Sequence, residues 1–260
     1  MEGCLVDAAK KAQEIVEWMK EMGKVAGAEG AVVGVSGGID SAVALMLSCR
    51  AWPERTLGLV LPCHSDPQDV RDALRVIEIA KCEYRVIDLS PAYDLLVCSL
   101  DTSPSDGVRL WDRASLDRQR TARANLKPRL RMLALYYHAN ALNRLVVGTG
   151  NRSEIYVGYF TKYGDGGADI LPLGALVKRE VKDIGRHLGL PQDIVERVPS
   201  AGLWPEQTDE GEMGVEYKHL DGYLRGEPVP PEVVKKVEEM HRRSAHKRRT
   251  PPTPDSSRGG

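Results

Sequence analysis

The chain reads as an α/β protein, a parallel sheet covered by helices on both faces. Three observations predict this. Short runs of Val and Leu alternate with longer segments of helical periodicity, the order expected of parallel strands joined by crossover helices. A glycine-rich turn, Gly34–Ser41, joins the first apolar run to the helix after it. The 260 residues, 42% hydrophobic and 28% charged, are enough to bury a full core without disulfides or metal staples.

The elements follow in order. Leu5, Ala8, Ala12, Ile15, Val16, Met19 and Met22 fall at helical spacing, so residues 5–22 predict an amphipathic helix that covers its own core. Ala31–Val35 is β-branched and bounded by glycine, and predicts a buried strand. Ser41–Cys49 predicts a helix and Leu57–Leu61 a second strand. Asp66–Ala80 predicts a helix with Asp66 as cap and Pro67 in the first helical position. Tyr84–Asp88 predicts a third strand, and Ser90-Pro91 opens another helix. A long helical region spans about 115–142, with an interruption or kink expected at Pro128. Leu145–Gly148 predicts a fourth strand. Helices are expected over 178–188, 191–197, 215–225 and 230–247. Residues 1–250 are expected to form one domain, and 251–260, rich in Pro, Ser and Gly, a disordered tail.

Composition excludes several classes. Net charge is −1, which gives no global signature for nucleic acid. No apolar run approaches the roughly 20 residues of a membrane helix. Asp7, Glu14 and Glu17 stand where a signal peptide would be apolar. Five cysteines with no C-x-x-C pair point to reduced thiols and a cytoplasmic protein, against a disulfide framework or zinc ribbon.

The sharpest chemical signal is Gly34-Val35-Ser36-Gly37-Gly38-Ile39-Asp40-Ser41. It follows a strand and opens a helix. Backbone N–H groups there converge on an anion, and Ser36 and Ser41 add hydroxyl donors. Asp40 would repel phosphate unless a cation intervened, which points to Mg²⁺. Neither the Walker loop nor the dinucleotide G-x-G-x-x-G is present, and no His pattern has metal-ligand spacing.

Ser36–Ser41 resembles the pyrophosphate loop of the ATP-pyrophosphatase superfamily, which cleaves ATP to AMP and pyrophosphate. Val147–Glu154, Gly158–Asp169, Pro172-Leu173 and Lys178 follow in the order and spacing of one branch, so the chain closely resembles the NAD synthetase family over about residues 5–250. The resemblance implies an adenine nucleotide alpha hydrolase-like, Rossmann-like fold. It implies ATP-dependent amidation of deamido-NAD by ammonia through an adenylated carboxylate, giving NAD, AMP and pyrophosphate. The partners it implies are these small molecules and a second copy of the chain in a homodimer.

By the same resemblance, residues 34–41, Thr149, Lys178 and Ser200 would contact ATP. Asp40 and Glu154 would hold Mg²⁺. Asp40, Glu154 and Lys178 would form the catalytic set. Arg129, Lys162, Asp169, His246 and Lys247 would bind deamido-NAD. Leu61–Asp66 would border the adenine, and residues 199–214 would form a mobile loop. Glutamine-dependent members carry a further N-terminal amidase domain. Only one helix precedes Gly34, so ammonia is the expected nitrogen donor. The basic stretch Arg113–Arg131, with seven Lys/Arg against Asp117, keeps a tRNA-modifying enzyme as a rival. A non-catalytic nucleotide sensor is a second.

Overall fold

The computed structural model describes residues 2–101, 116–200, 202 and 208–254, with side chains from residue 7 onward. The elements run α1 (Glu2–Ala26), β1 (Ala31–Gly34), α2 (Ile39–Ala51), β2 (Thr56–Val60), α3 (Pro67–Ala80), β3 (Glu83–Val86) and α4 (Ser90–Asp101). Then come α5 (Leu116–Ala124), α6 (Leu126–Leu142), β4 (Leu145–Val147), α7 (Arg152–Val157), α8 (Lys178–His187) and α9 (Gln192–Val195). The last four are α10 (Asp209–Met213), α11 (Tyr217–Leu224), α12 (Pro231–Arg243) and α13 (Ala245–Arg248).

The four strands form one parallel sheet in the order β3-β2-β1-β4. A bridge from Val147 to Ile170 adds a short parallel edge beyond β4. Side chains alternate across the sheet as the pleat requires. Ala31, Val33, Leu145 and Val147 face α1, α2, α3 and α8, where Ala12, Met19, Leu45, Leu47, Val76 and Ile184 complete the larger core. Val32, Val146, Leu57 and Leu59 face the opposite layer, closed by Ala139 and Leu135 of α6. A third cluster lies outside the sheet, where Val157 of α7 meets Met213, Tyr217, Leu220 and Val237 from α10, α11 and α12. Helices therefore cover both faces, as the alternating pattern predicts. The apolar stripe of α1 is spent on its own core, with Ala8, Ala12, Val16 and Met19 buried.

The interruption expected near Pro128 falls at Asn125, three residues earlier, between α5 and α6. A proline ring clashes with the carbonyl four residues before it, here Ala124, and cannot donate an N–H. Pro128 therefore sits in the first turn of a new helix, where prolines are tolerated. The helix expected over 230–247 is likewise split at Ser244. The short helices α7, α10 and α13 carry too few residues to show periodicity, and the pattern does not announce them. Met1 and residues 102–115, 201, 203–207 and 255–260 lie outside the described set. They include Arg113 of the basic stretch, much of the expected mobile loop and most of the expected tail.

Candidate active site

The site lies at the carboxyl end of the sheet, where β1 and β4 run side by side in register from Ala31↔Leu145 to Val33↔Val147. Ligands of open parallel sheets bind at this end. Beyond β1 the chain passes through Val35, whose N–H still pairs with Leu59 O at 2.8 Å, and then turns into α2. Gly37 makes the turn at φ +83°. A Cβ there would lie 2.7 Å from Asp69 O of α3, so only glycine fits. Ser36 N donates to Ser41 Oγ at 3.1 Å, and Gly38 N to Ser36 Oγ at 3.3 Å, which closes the loop on itself. Gly38 is the N-cap of α2 and offers no side chain, so N–H groups of the first turn face outward beside Asp40. Val35 and Ile39 are core side chains and have only backbone to offer a ligand.

Asp40 meets Glu154, from the helix that follows β4, through Lys178. The Lys178 ammonium, on a side chain only 4% exposed, donates to Asp40 Oδ2 at 2.5 Å and to Glu154 Oε1 at 3.2 Å. Asn151 Nδ2 donates to Asp40 Oδ1 at 2.9 Å. Asn151 is also the N-cap of α7, in a reciprocal box with Glu154: Glu154 N donates to Asn151 Oδ1 at 3.0 Å, and Asn151 N to Glu154 Oε2 at 3.2 Å. One asparagine thus fixes both carboxylates. Lys178 is held from behind by buried Asp221, which accepts from Lys178 N, Arg179 N and Ser153 Oγ at 3.2, 2.8 and 2.6 Å.

A second acidic layer joins through tyrosines. Tyr217 Oη lies 3.2 Å from both Glu154 Oε1 and Asp209 Oδ2. Tyr159 Oη donates toward Asp209 Oδ1 at 3.1 Å and Glu212 Oε2 at 2.8 Å. Burial, aided by the neighbouring Asp40 and opposed by Lys178, raises the Glu154 carboxyl to about 7. Burial raises Asp209 in the same sense. At Lys178, burial disfavours the charge, but Asp40 and Glu154 outweigh it and hold the amine protonated.

The Lys178 ammonium is thus shared by two carboxylates, Asp40 and Glu154, with Asp209 joined to them through Tyr217, so carboxyl groups outnumber the cation. Among the described residues no three His, Cys, Asp or Glu side chains form a closed metal cage. Mg²⁺ does not need one: it binds through one or two carboxylates and takes its other ligands from water and substrate phosphates. Two hard oxygen donors, Asp40 and Glu154, with surplus charge beside an anion loop fit that ion.

The remaining expected residues fall in three places. Thr149 is half-buried in the turn after β4, next to the loop after β1. Ser200 is exposed, and its Oγ accepts from Gly202 N at 3.2 Å. Just before it, Arg197 is tied to Asp69 and Asp72 of α3, the turn that packs under Gly37. Just after it, Asp209 N donates to Pro199 O at 3.0 Å and closes the neck of the 200–208 segment. The third group is a chain of basic residues: Arg129 donates to Lys162 O at 3.3 Å, and Lys162 to His246 O at 2.8 Å. Lys247 donates to Gly158 O and Phe160 O, both at 2.8 Å. Asp169 is exposed, and its oxygens accept from Tyr136 Oη at 3.0 Å and Val146 N at 2.8 Å, which fastens the edge beyond β4.

Sequence reading missed Asn151, Asp209, Tyr217 and Asp221. The N-x-x-E spacing of Asn151 and Glu154 is a legible capping signal. Nothing local marks Asp221, which is 43 residues from the lysine it anchors. Leu61–Asp66 is held from the other layer: Arg131 donates to Leu61 O at 3.0 Å and Ser65 Oγ at 3.1 Å.

The sequence profile of the NAD synthase family matches residues 11–251. The NH(3)-dependent NAD(+) synthetase of Carboxydothermus hydrogenoformans is 46% identical over 96% of this chain and 98% of its own. Among solved structures, NMN synthetase from Francisella tularensis superposes with a TM-score of 0.86 at 40% identity, covering 95% of this chain and 98% of its own. NAD+ synthetase from Burkholderia pseudomallei superposes with a TM-score of 0.75 at 32% identity, covering 94% and 91%. A glycine-turned anion loop, two carboxylates bridged by a lysine and a full-length match agree: the chain belongs to the NAD synthase family.

Proposed function

We propose that this protein amidates the nicotinate carboxylate of deamido-NAD with ammonia, converting ATP to AMP and pyrophosphate. The observation that carries the reading is the Asp40–Lys178–Glu154 cluster beside the 36–41 loop. Ammonia does not displace an oxide from a free carboxylate. The carboxylate oxygen attacks the α-phosphorus of ATP, and pyrophosphate leaves with the electron pair of the broken P–O bond. Ammonia then adds to the acyl carbon, AMP departs, and the added nitrogen loses a proton.

The protein's work is positioning and charge balance. The N–H groups at the start of α2, with Ser36 and Ser41, receive the departing phosphates. Thr149 and Ser200 complete the ATP contacts. Lys178 spreads positive charge toward the same oxygens and keeps Asp40 and Glu154 oriented. Asp40 and Glu154 would hold Mg²⁺, which would supply charge neutralisation for phosphate oxygens. Arg129, Lys162, His246 and Lys247 bind the dinucleotide. Asp169, exposed beside that wall and fixed by Tyr136 and Val146, contributes a carboxylate to the same dinucleotide site.

Nicotinate mononucleotide is the second reading, favoured by the higher TM-score to the structure named NMN synthetase. The free state of Cys49, Cys63, Cys82 and Cys98 supports a cytoplasmic setting. A homodimer is supported by the apolar residues that α4 and α6 leave exposed. The test is a product assay with ATP, Mg²⁺ and ammonium, offering deamido-NAD and nicotinate mononucleotide in turn. NAD with equimolar AMP is expected from the first. NMN formed faster than NAD would transfer the assignment to the mononucleotide, and ADP as product would end both readings.

A further inference from the structure

Glu154 rides on α7, a helix of six residues. So short a helix does not hold its own geometry, because nucleation costs more than so few hydrogen bonds return. Its N-terminus is fixed by the Asn151–Glu154 box. Its C-terminus is fixed from α12 and α13. Gly158 ends α7 at φ +72°, and a Cβ there would lie 2.1 Å from Ser244 Cβ, so the α12–α13 corner is pressed against the turn. The carbonyl of Tyr156 points at this corner, and so does that of Ile155, which also accepts from Gly158 N at 3.2 Å.

Arg248 fills the gap. Its Nη1 donates to Tyr156 O at 3.0 Å, Ile155 O at 3.4 Å and Ser244 Oγ at 2.7 Å, while Nη2 donates to His241 O at 2.5 Å. His241 adds Nδ1 to Tyr156 O at 2.8 Å, with its ring stacked on Tyr156 at 4.0 Å. Acceptors from two helices thus meet on one planar guanidinium. A lysine, with a point charge and no fork, cannot reproduce this.

We propose that Arg248 is a positioning residue for Glu154: it fixes the C-terminal end of α7 and so the place of the Glu154 carboxylate against Lys178 and Asp40. Arg248 touches no reacting atom. The same corner carries His246, whose carbonyl holds Lys162, so one short helix braces both the cluster around Lys178 and the basic wall. The inference rests on the amidation reading above.

The test compares Arg248→Ala and Arg248→Lys with wild type, with Arg243→Ala as control, because the Arg243 side chain is exposed and pairs with exposed Glu239 on its own helix. Misplacing a catalytic group by about 1 Å costs on the order of 100-fold, so kcat of Arg248→Ala should fall by about that factor while KM for ATP changes less than about threefold. Millimolar guanidinium should restore part of the lost kcat in Arg248→Ala but not in Arg248→Lys, where the amine fills the site. Amide exchange over 152–158 should quicken in Arg248→Ala and return toward wild type with guanidinium. A kcat within about twofold of wild type, or a loss that guanidinium does not rescue, would overturn the proposal. Wild type inactive on either nucleotide would refute the amidation reading instead, and the exchange experiment alone would then decide whether Arg248 orders α7.

Discussion

Lys178 enters the site through its backbone as well as its ammonium. Asp221 takes its N–H, and Asp40 and Glu154 take its side chain. A buried ion pair of this kind gains little net stability, since desolvation offsets attraction, so its value lies in placement. Asp40 and Glu154 were legible in the sequence because each belongs to a local pattern, the loop before α2 and the cap of α7. Asp209 and Tyr217 were not, because they reach the cluster only through long-range packing. Asp40→Asn and Glu154→Gln keep the shape of each side chain and remove one hard anionic ligand. Each should lower kcat by roughly 100-fold or more, with far-ultraviolet circular dichroism unchanged. Near-normal NAD formation in either variant would remove that residue from the metal seat.

Among the elements, α2 and α3 together make the anion loop. Asp66 Oδ1 accepts from Gln68 N at 2.7 Å and Pro67 follows, so α3 starts where its sequence says it should. Its first turns then supply Asp69 and Asp72, against which Gly37 packs and to which Arg197 is bound. The strand–turn–helix order was readable from glycine and β-branched residues alone. The interruption near Pro128 was readable too, but its exact place at Asn125 was not, because the steric conflict of the ring falls on Ala124. Gly37→Ala tests the loop directly. Left-handed backbone costs a non-glycine residue about 1–2 kcal/mol, and the new Cβ would also meet Asp69 O. Urea unfolding should show a loss of at least that size, and KM for ATP should rise because the N–H groups are displaced. Wild-type stability and KM would show that the turn tolerates a side chain.

At the scale of the whole molecule, the two sheet faces are finished differently. The α1–α2–α3–α8 layer is closed: α1 seals it with Ala12 and Met19 fully buried. The other layer is not. α4 is twelve residues with apolar Leu95, Leu96, Val97 and Leu100, yet none of its residues is buried. Leu95 is 70% exposed, and on α6 Leu133 and Tyr137 are 61% and 73% exposed. Periodicity alone hid this, because α6 is apolar on more than one side and a sequence does not say which of them the core covers. Arg129, Leu133 and Tyr137 lie four residues apart on one stripe of α6, so the exposed face adjoins the basic wall. Exposed apolar side chains on α4 and α6 make this face the proposed dimer contact. Light scattering should therefore give twice the chain mass of 28.6 kDa. Leu133→Glu with Tyr137→Glu places two charges at the centre of that contact and should yield monomers. Because Arg129 shares the stripe, those monomers should show a raised KM for deamido-NAD with the KM for ATP little changed. A wild-type monomer, or a dimer that survives both substitutions, would move the contact elsewhere or remove it.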